Sequence, residues 1–492
     1  MKYLPWLQWI LPAILIFLTL LIVIIKAYSV PITHDEVASA IYYPTFTVWQ
    51  LIKFPDVWPS NHILNSILIK LSFLLFDVST FTCRLPNVLS FVLYSVIIWS
   101  IARRYFLDRQ SNNKTSLLYL AVFVCFLCNP YLLDFFGLAR GYGMSNAFMV
   151  GSLFYCLRFG EERRIRFLWL TLVFASLAAY ANFTLLIFFV SVNALLMLIL
   201  FGSFLSKKYS LRYFSTHLAL MLLFILAFAA LCYTPIHKMQ STNQFVYWSA
   251  NGFYRDTLSN LIGNSQYGVS YFALHADVFA WVVIFIFFAL FEVVHLKIYR
   301  KALLVFEDPL VLSFLILVFT IVVNLIQTTS LGTPNLTGRT ALSYYPLFIA
   351  PFLFGIREVR LKWRRAGNVI AGILIALGLY HQISALQMKH VREWAYDQNT
   401  YDVIKYLDTY RKDHQLEKIQ LNTSWLFNPA FTFYIQTGKS AWIDLVPYHK
   451  ETDTTSNTPF YYIMNEDWNK LQKNYDPVLQ FDGNARMLLQ HK

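Results

Sequence analysis

The chain opens with LQWILPAILIFLTLLIVIIKA, Leu7 to Ala27, and six residues later reaches Thr33-His34-Asp35-Glu36. The first stretch is apolar for about 20 positions, enough to cross a ~30 Å hydrocarbon core as a helix, with one cation, Lys26, near its end. A histidine and two adjacent carboxylates therefore lie just past a membrane exit. Acidic groups held near membrane depth are costly and mark function. The rest of the chain is read outward from this carboxylate pair as a scaffold that brings basic and aromatic groups to it.

Composition agrees with a membrane scaffold. Of the 492 residues, 57% are hydrophobic and 14% charged, against about a quarter charged in soluble domains. The formal charge of +13 does not point to nucleic acid, because the basic residues fall in short clusters between apolar segments, where positive-inside topology puts them. The five cysteines, Cys83, Cys125, Cys128, Cys156 and Cys232, lie in or beside apolar segments and read as small packing residues. The first apolar run exceeds the 7 to 15 residues of a signal peptide core and lacks a small-residue cleavage site, so it is expected to stay as an anchor.

Residues 36–54 mix apolar and aromatic positions with polar ones and predict an amphipathic helix on the membrane surface. Residues 61–76 are apolar but short and contain Lys70, which predicts a second interfacial helix. Counted with Leu85–Ala102, the later spans are expected at about Leu117–Leu133, Tyr142–Leu157, Phe167–Tyr180, Phe183–Phe204, Phe214–Thr234, Tyr271–Val294, Pro309–Gln327, Ala341–Gly355 and Val369–Ser384. With the first helix this makes about 11 transmembrane helices, the N-terminus cytoplasmic and the C-terminus outside. The basic clusters, from Arg103, Arg104 and Arg109 to the run ending at Arg365, then share one side. Exoplasmic loops carry Asp134, Arg140 and Tyr142; His237, Lys238, Tyr247, Trp248, Tyr254 and Arg255; and Pro334 with Arg339.

Beyond about Ser384 the composition turns soluble. Tyr401–Asp413 and Asp467–Asn474 read as helices, Lys418–Leu421 and Pro459–Met464 as strands. The expected fold is thus a polytopic α-helical membrane domain, residues 1–385, followed by a small exoplasmic α/β domain, residues 386–492.

Asp35 has two readings. It suits an N-cap of the following helix, and it suits a general base that takes a proton from an attacking hydroxyl. Glu36 points elsewhere on a helix and reads as a supporting or acceptor-binding group, with His34 beside it. Arg140 and Arg339 either snorkel to headgroups or, being on the side where positive-inside bias does not call for them, bind the phosphate of a lipid substrate through planar bidentate contacts. His62, after Asn61, opens the second interfacial helix, where amide groups favour an anion; a headgroup contact is the plainer reading. His34, Asp35, Glu36 and His62 could ligate a divalent ion, but no zinc spacing supports a metal, and no Walker loop or GxGxxG offers a nucleotide site. No cofactor is expected.

These motifs, taken in order, carry a resemblance. A membrane helix followed by Asp35-Glu36, then Asn61-His62, Cys83-Arg84-Leu85-Pro86, Ala139-Arg140-Gly141-Tyr142, and Gly338-Arg339 with Tyr344-Tyr345-Pro346, together resemble the GT-C glycosyltransferases over about residues 1 to 385. The branch is similar to bacterial family 39, with the protein O-mannosyltransferases and the aminoarabinose transferases of lipid A. The resemblance implies an inverting transferase of the bacterial inner membrane. Its donor would be a sugar on polyprenyl phosphate and its acceptor a lipid, glycan or protein on the exoplasmic face. Asp35 would be the catalytic carboxylate, with Arg140 and the residues around His62 on the donor phosphate; Tyr142 and Arg339 join the expected substrate-binding set. The alternative is a transporter or flippase of lipid-linked sugars, which would place ionisable groups near the midplane of two repeated halves.

Overall fold

The computed structural model describes residues 7–107, 116–244, 251–269, 275–483 and 485–492. The expected loop residues Tyr247 and Trp248, the basic residue Arg109, and the first residues of the span expected from Tyr271 lie outside them. The chain is a polytopic α-helical membrane protein. Among the described residues, seven helices are long and apolar enough to cross a membrane, and a bent pair makes an eighth span if counted as one.

The first span is α1, Leu7–Ser29. It is followed by α2, His34–Val37, which passes into a π-turn at Ala38–Tyr42 and a 3₁₀ turn at Tyr43–Thr45 before α3, Val48–Ile52. The single surface helix expected over 36–54 is therefore broken. Pro44 cannot donate to a continuing ladder, and Thr47 starts a new helix with its hydroxyl accepting from Gln50 N. The second interfacial helix, α4, is Ile63–Leu75; its 13 residues reach only about 20 Å, short of a crossing.

Next come α5, Thr80–Ile101, and the pair α6, Leu117–Leu127, and α7, Pro130–Phe136, bent by 60°. The bend has a local cause, since Asn129 caps α7 through Oδ1 to Leu132 N and Pro130 sits at its first position. The expected straight span 117–133 becomes a crossing plus a short arm turned toward the site. The hairpin α8, Gly141–Glu162, and α9, Ile165–Ala181, follows. Then run α10, Leu186–Leu205; α11, Leu211–Ser241; α12, Asn260–Ser265; α13, Ala276–Lys301; α14, Pro309–Leu331; α15, Tyr344–Lys362; and α16, Arg364–Ser384.

Three of the eleven expected spans, those now formed by α8, α9 and α15, are helices of 22, 17 and 19 residues that do not meet the length and apolarity of a lone crossing. α8 shows why. Gly, Ser and Asn recur along it, and most of its residues are buried against neighbouring helices, so it needs little lipid-facing apolar surface. α11 is longer than expected; its 31 residues span about 46 Å, and its C-terminal turns bring Lys238 onto the carbonyls of Lys53 and Phe54. All five cysteines are free.

The C-terminal domain contains α17, Thr400–Asp413, α18, Asn428–Gln436, and α19, Trp468–Leu471, with strands β1, Ile419–Thr423, β2, Ile443–Leu445, β3, Phe460–Met464, β4, Tyr475–Phe481, and β5, Arg486–His491. The sheet order is β2-β1-β3-β5-β4, parallel across β2-β1-β3 and antiparallel beyond. α18 packs on α2 through Ala430, Phe433 and Tyr434, and the Tyr434 hydroxyl accepts from Ile32 N at 2.8 Å. The domain is thereby seated on the turn that carries Asp35. α16 begins at Arg364 and leads to the C-terminal domain, so reporter fusions after Arg365, at its first turn, and at Lys492 are expected on opposite sides of the membrane; the same side for both would remove α16 as a span.

Candidate active site

The turn after the first span is held by one buried arginine. Arg84, fully enclosed on α5, donates through Nη1 to the carbonyls of Ala27 at 3.2 Å and Val30 at 2.7 Å, and through Nη2 to Pro31 O at 2.9 Å. These include carbonyls that the end of α1 leaves without helical partners. Its remaining fork grips Glu36, Nε to Oε1 at 2.8 Å and Nη2 to Oε2 at 2.6 Å. Ala139 N also donates to Glu36 Oε1 at 2.6 Å and Thr33 N to Oε2 at 3.0 Å. Glu36 is 0% exposed and its two oxygens are saturated. It joins three segments beneath the site and offers nothing to a substrate.

Thr33, not Asp35, is the N-cap of α2, so capping does not account for Asp35. Asp35 lies in the first turn with its side chain about 24% exposed. Its Oδ2 is 3.1 Å from Arg339 Nη2 and 3.7 Å from Arg140 Nη2. Burial pushes this carboxyl up, but the charges of Arg140 and Arg339, with His34, outweigh it and hold Asp35 below the usual aspartate value. It is ionised at neutral pH and reachable from water.

Arg140 is the N-cap residue of α8 and only 2% exposed. A cation at a helix N-terminus opposes the helix dipole, so its placement has to be maintained by other contacts. Nη1 donates to Asp35 O at 3.1 Å and Ser60 O at 3.2 Å, and the guanidinium stands 6.0 Å from the Tyr142 ring centre. Close approach is built into the next residue. A Cβ on Gly141 would lie 2.0 Å from Ala181 O and 2.9 Å from His62 Cβ, so only glycine lets the start of α8 meet the start of α4. Both guanidiniums are turned toward Asp35.

His62 is buried, with Nδ1 at 3.0 Å from Ala181 O and its ring edge-on to Tyr142 at 4.9 Å. Burial first and then the Arg140 charge hold it well below the usual histidine value. It is neutral, the carbonyl assigns the proton to Nδ1, and Nε2 is a buried lone pair with no partner among the described residues. The His62 ring therefore presents an acceptor at the start of α4, where an anion-binding role had been expected of the residues around it. Asn61 Nδ2 and Arg140 Nε are buried N–H donors likewise without partner, while Asn61 Oδ1 accepts from Ser66. His34 faces the C-terminal domain, with Nδ1 at 2.8 Å from Leu426 O and its backbone N–H donating to Asp397 Oδ2 at 2.8 Å. Among the described residues no three His, Cys, Asp or Glu side chains gather as a candidate metal site.

The chain is similar to solved structures of ArnT from Cupriavidus metallidurans. The undecaprenyl phosphate-bound structure aligns over 98% of both chains with 12% identity and a TM-score of 0.46. The apo structure aligns over 97% of both with 13% identity and a TM-score of 0.43. No protein-family model and no curated protein matches the chain.

Sequence reading missed the segment that enters the C-terminal domain. Trp394 lies under Arg339, 5.0 Å from guanidinium carbon to ring centre, and Glu393 Oε2 is 3.3 Å from Arg339 Nη1. Tyr131, on the bent arm α7, donates to Glu393 Oε1. On the same arm Asp134 pairs with Lys26 and accepts from Arg392 N at 2.9 Å. The available signal was compositional, since Arg392-Glu393-Trp394 puts two charges and an indole eight residues past the end of a span at Ser384.

Proposed function

We propose that the chain is a GT-C-type membrane glycosyltransferase that moves a sugar, with inversion, from a polyprenyl-phosphate donor to an acceptor on the exoplasmic side of the bacterial cytoplasmic membrane. The observation that carries this reading is the ionised, partly exposed Asp35 held between two guanidiniums at the end of the helix bundle. A transporter site is expected near the midplane, on broken helices in corresponding positions of two halves.

The donor is a phosphodiester with one negative charge beside the anomeric carbon. Arg140 and Arg339 hold its phosphate oxygens, joined by Asn61 Nδ2, whose unsatisfied buried N–H costs about 1–3 kcal/mol until an acceptor meets it. His62 Nε2 accepts from a sugar hydroxyl. The acceptor hydroxyl or amine attacks the anomeric carbon from the face opposite the phosphate while Asp35 takes its proton. The carbon–oxygen bond to phosphate breaks, and the electron pair leaves on polyprenyl phosphate, whose added charge the two arginines meet.

Incubating the purified protein with a panel of polyprenyl-phosphate sugars is expected to release free polyprenyl phosphate from one of them, read by mass spectrometry. No release from any donor with any acceptor lipid or glycan extract counts against the reading. Arg140→Ala is expected to raise the donor KM while the protein remains folded, because truncating one partner of a buried charge contact costs roughly 2–5 kcal/mol. An unchanged donor KM in a folded variant would remove Arg140 from the phosphate.

A further inference from the structure

Arg339 faces two carboxylates, not one. Nη2 contacts Asp35 and Nη1 contacts Glu393, with the guanidinium plane over Trp394. The second carboxylate is fixed from several directions. Tyr131 donates to its free oxygen, Asp134 holds the preceding backbone N–H, and Trp394 packs edge-on to Phe135 at 6.1 Å. Gly338, beside Arg339, has φ +52°, and a Cβ there would stand 3.0 Å from Glu393 Oε1. The anchored linker and the glycine that admits it both fix Glu393 against Arg339.

Resting on the transferase reading, we infer that Glu393 is a positioning residue: it draws the Arg339 guanidinium off Asp35, dividing that cation between the base and the leaving phosphate. The charge balance explains the need. Arg140 and Arg339 give +2, Asp35 and Glu393 give −2, and the donor phosphodiester adds −1. In the reaction Asp35 gains a proton and phosphate gains a charge, so the loaded site stays at −1 throughout. Without Glu393 it would stay at zero, with Arg339 committed to Asp35, which makes the carboxylate a poorer proton acceptor and the phosphate product harder to release. The C-terminal domain, through its entry segment, then serves the reaction itself.

The test compares Glu393→Gln, Glu393→Asp and Tyr131→Phe with the wild-type protein on its best donor from the panel. Glu393→Gln is expected to lower kcat about tenfold, to lower the donor KM, and to move the acid limb of kcat/KM down by roughly one pH unit, the scale of one neighbouring charge. Glu393→Asp, which keeps the charge, should return the acid limb toward wild type. Tyr131→Phe, which removes only a hydrogen bond to Glu393, should move kcat and KM in the same directions by less. A raised donor KM, or an equal loss in all three variants with an unmoved pH limb, is a packing effect and overturns the inference. If the wild-type protein releases nothing from any donor, the transferase reading fails instead. The inference is then read by direct binding of polyprenyl phosphate, tighter in Glu393→Gln if it holds and equal or weaker if it does not.

Discussion

Asp35→Asn is expected to fold normally and to lose roughly 10² to 10⁴ of its rate, the usual scale of general-base catalysis. The substitution is nearly isosteric, Thr33 remains the N-cap of α2, and the carboxylate, about 24% exposed, contributes little to packing. What disappears is the ability to take a proton. Removing one negative charge beside Arg140 and Arg339 should leave donor binding intact or tighter, so the loss belongs in kcat with KM unchanged or lower. The same environment fixes the pH behaviour. Because Asp35 sits below the ordinary aspartate value, it stays ionised as pH falls, and wild-type activity should persist down to about pH 5. Near-normal turnover in well-folded Asp35→Asn would take the base out of the mechanism.

Glu36→Gln is expected to do the opposite, failing in stability before chemistry. Arg84 and Glu36 are both fully enclosed, and an amide in place of the carboxylate leaves a buried guanidinium without its counter-charge. In the Oε1 position the amide nitrogen would face Ala139 N–H and the guanidinium, which cannot accept, and in the Oε2 position the acceptor it would meet is the Thr33 hydroxyl. Breaking a buried pair from one side costs about 3–5 kcal/mol, a large part of the 5–15 kcal/mol that holds a protein folded. A marked fall in thermal midpoint in detergent is the expected result. Removing both charges, as in Glu36→Leu with Arg84→Met, should recover part of it, limited by the α1 carbonyls that Arg84 also satisfies. Unchanged stability in Glu36→Gln would mean the carboxylate is not the keystone of this turn. Adjacent carboxylates would thus separate cleanly, one lost to activity and one to folding.

Asp35, Arg140 and Arg339 stand out in the sequence because each is an ionisable group at the end of an apolar run, and the arginines fall on the side where the expected topology does not call for them. Their mutual contact, across 105 and 304 residues of separation, is a tertiary fact that only the bundle reveals. Glu36 was open to a role in acceptor binding because the partner that closes it, Arg84, sits 48 residues on, inside a motif that reads as helix entry. The membrane spans were legible where a helix faces lipid. They were less so for α8, which lies among other helices and can be small and polar. Glu393 and Trp394 were missed because their composition reads as the start of a soluble domain, and nothing local says that the bent arm from Pro130 reaches up to hold them.

The central claim is tested most directly by following a polyprenyl-phosphate sugar in proteoliposomes that contain either the wild-type protein or Asp35→Asn, with lipid or glycan acceptors outside. The account predicts free polyprenyl phosphate and a glycosylated acceptor in equal amounts with the wild-type protein, and neither with Asp35→Asn. Intact donor appearing on the opposite leaflet, with no free polyprenyl phosphate and no difference between the two proteins, would contradict it.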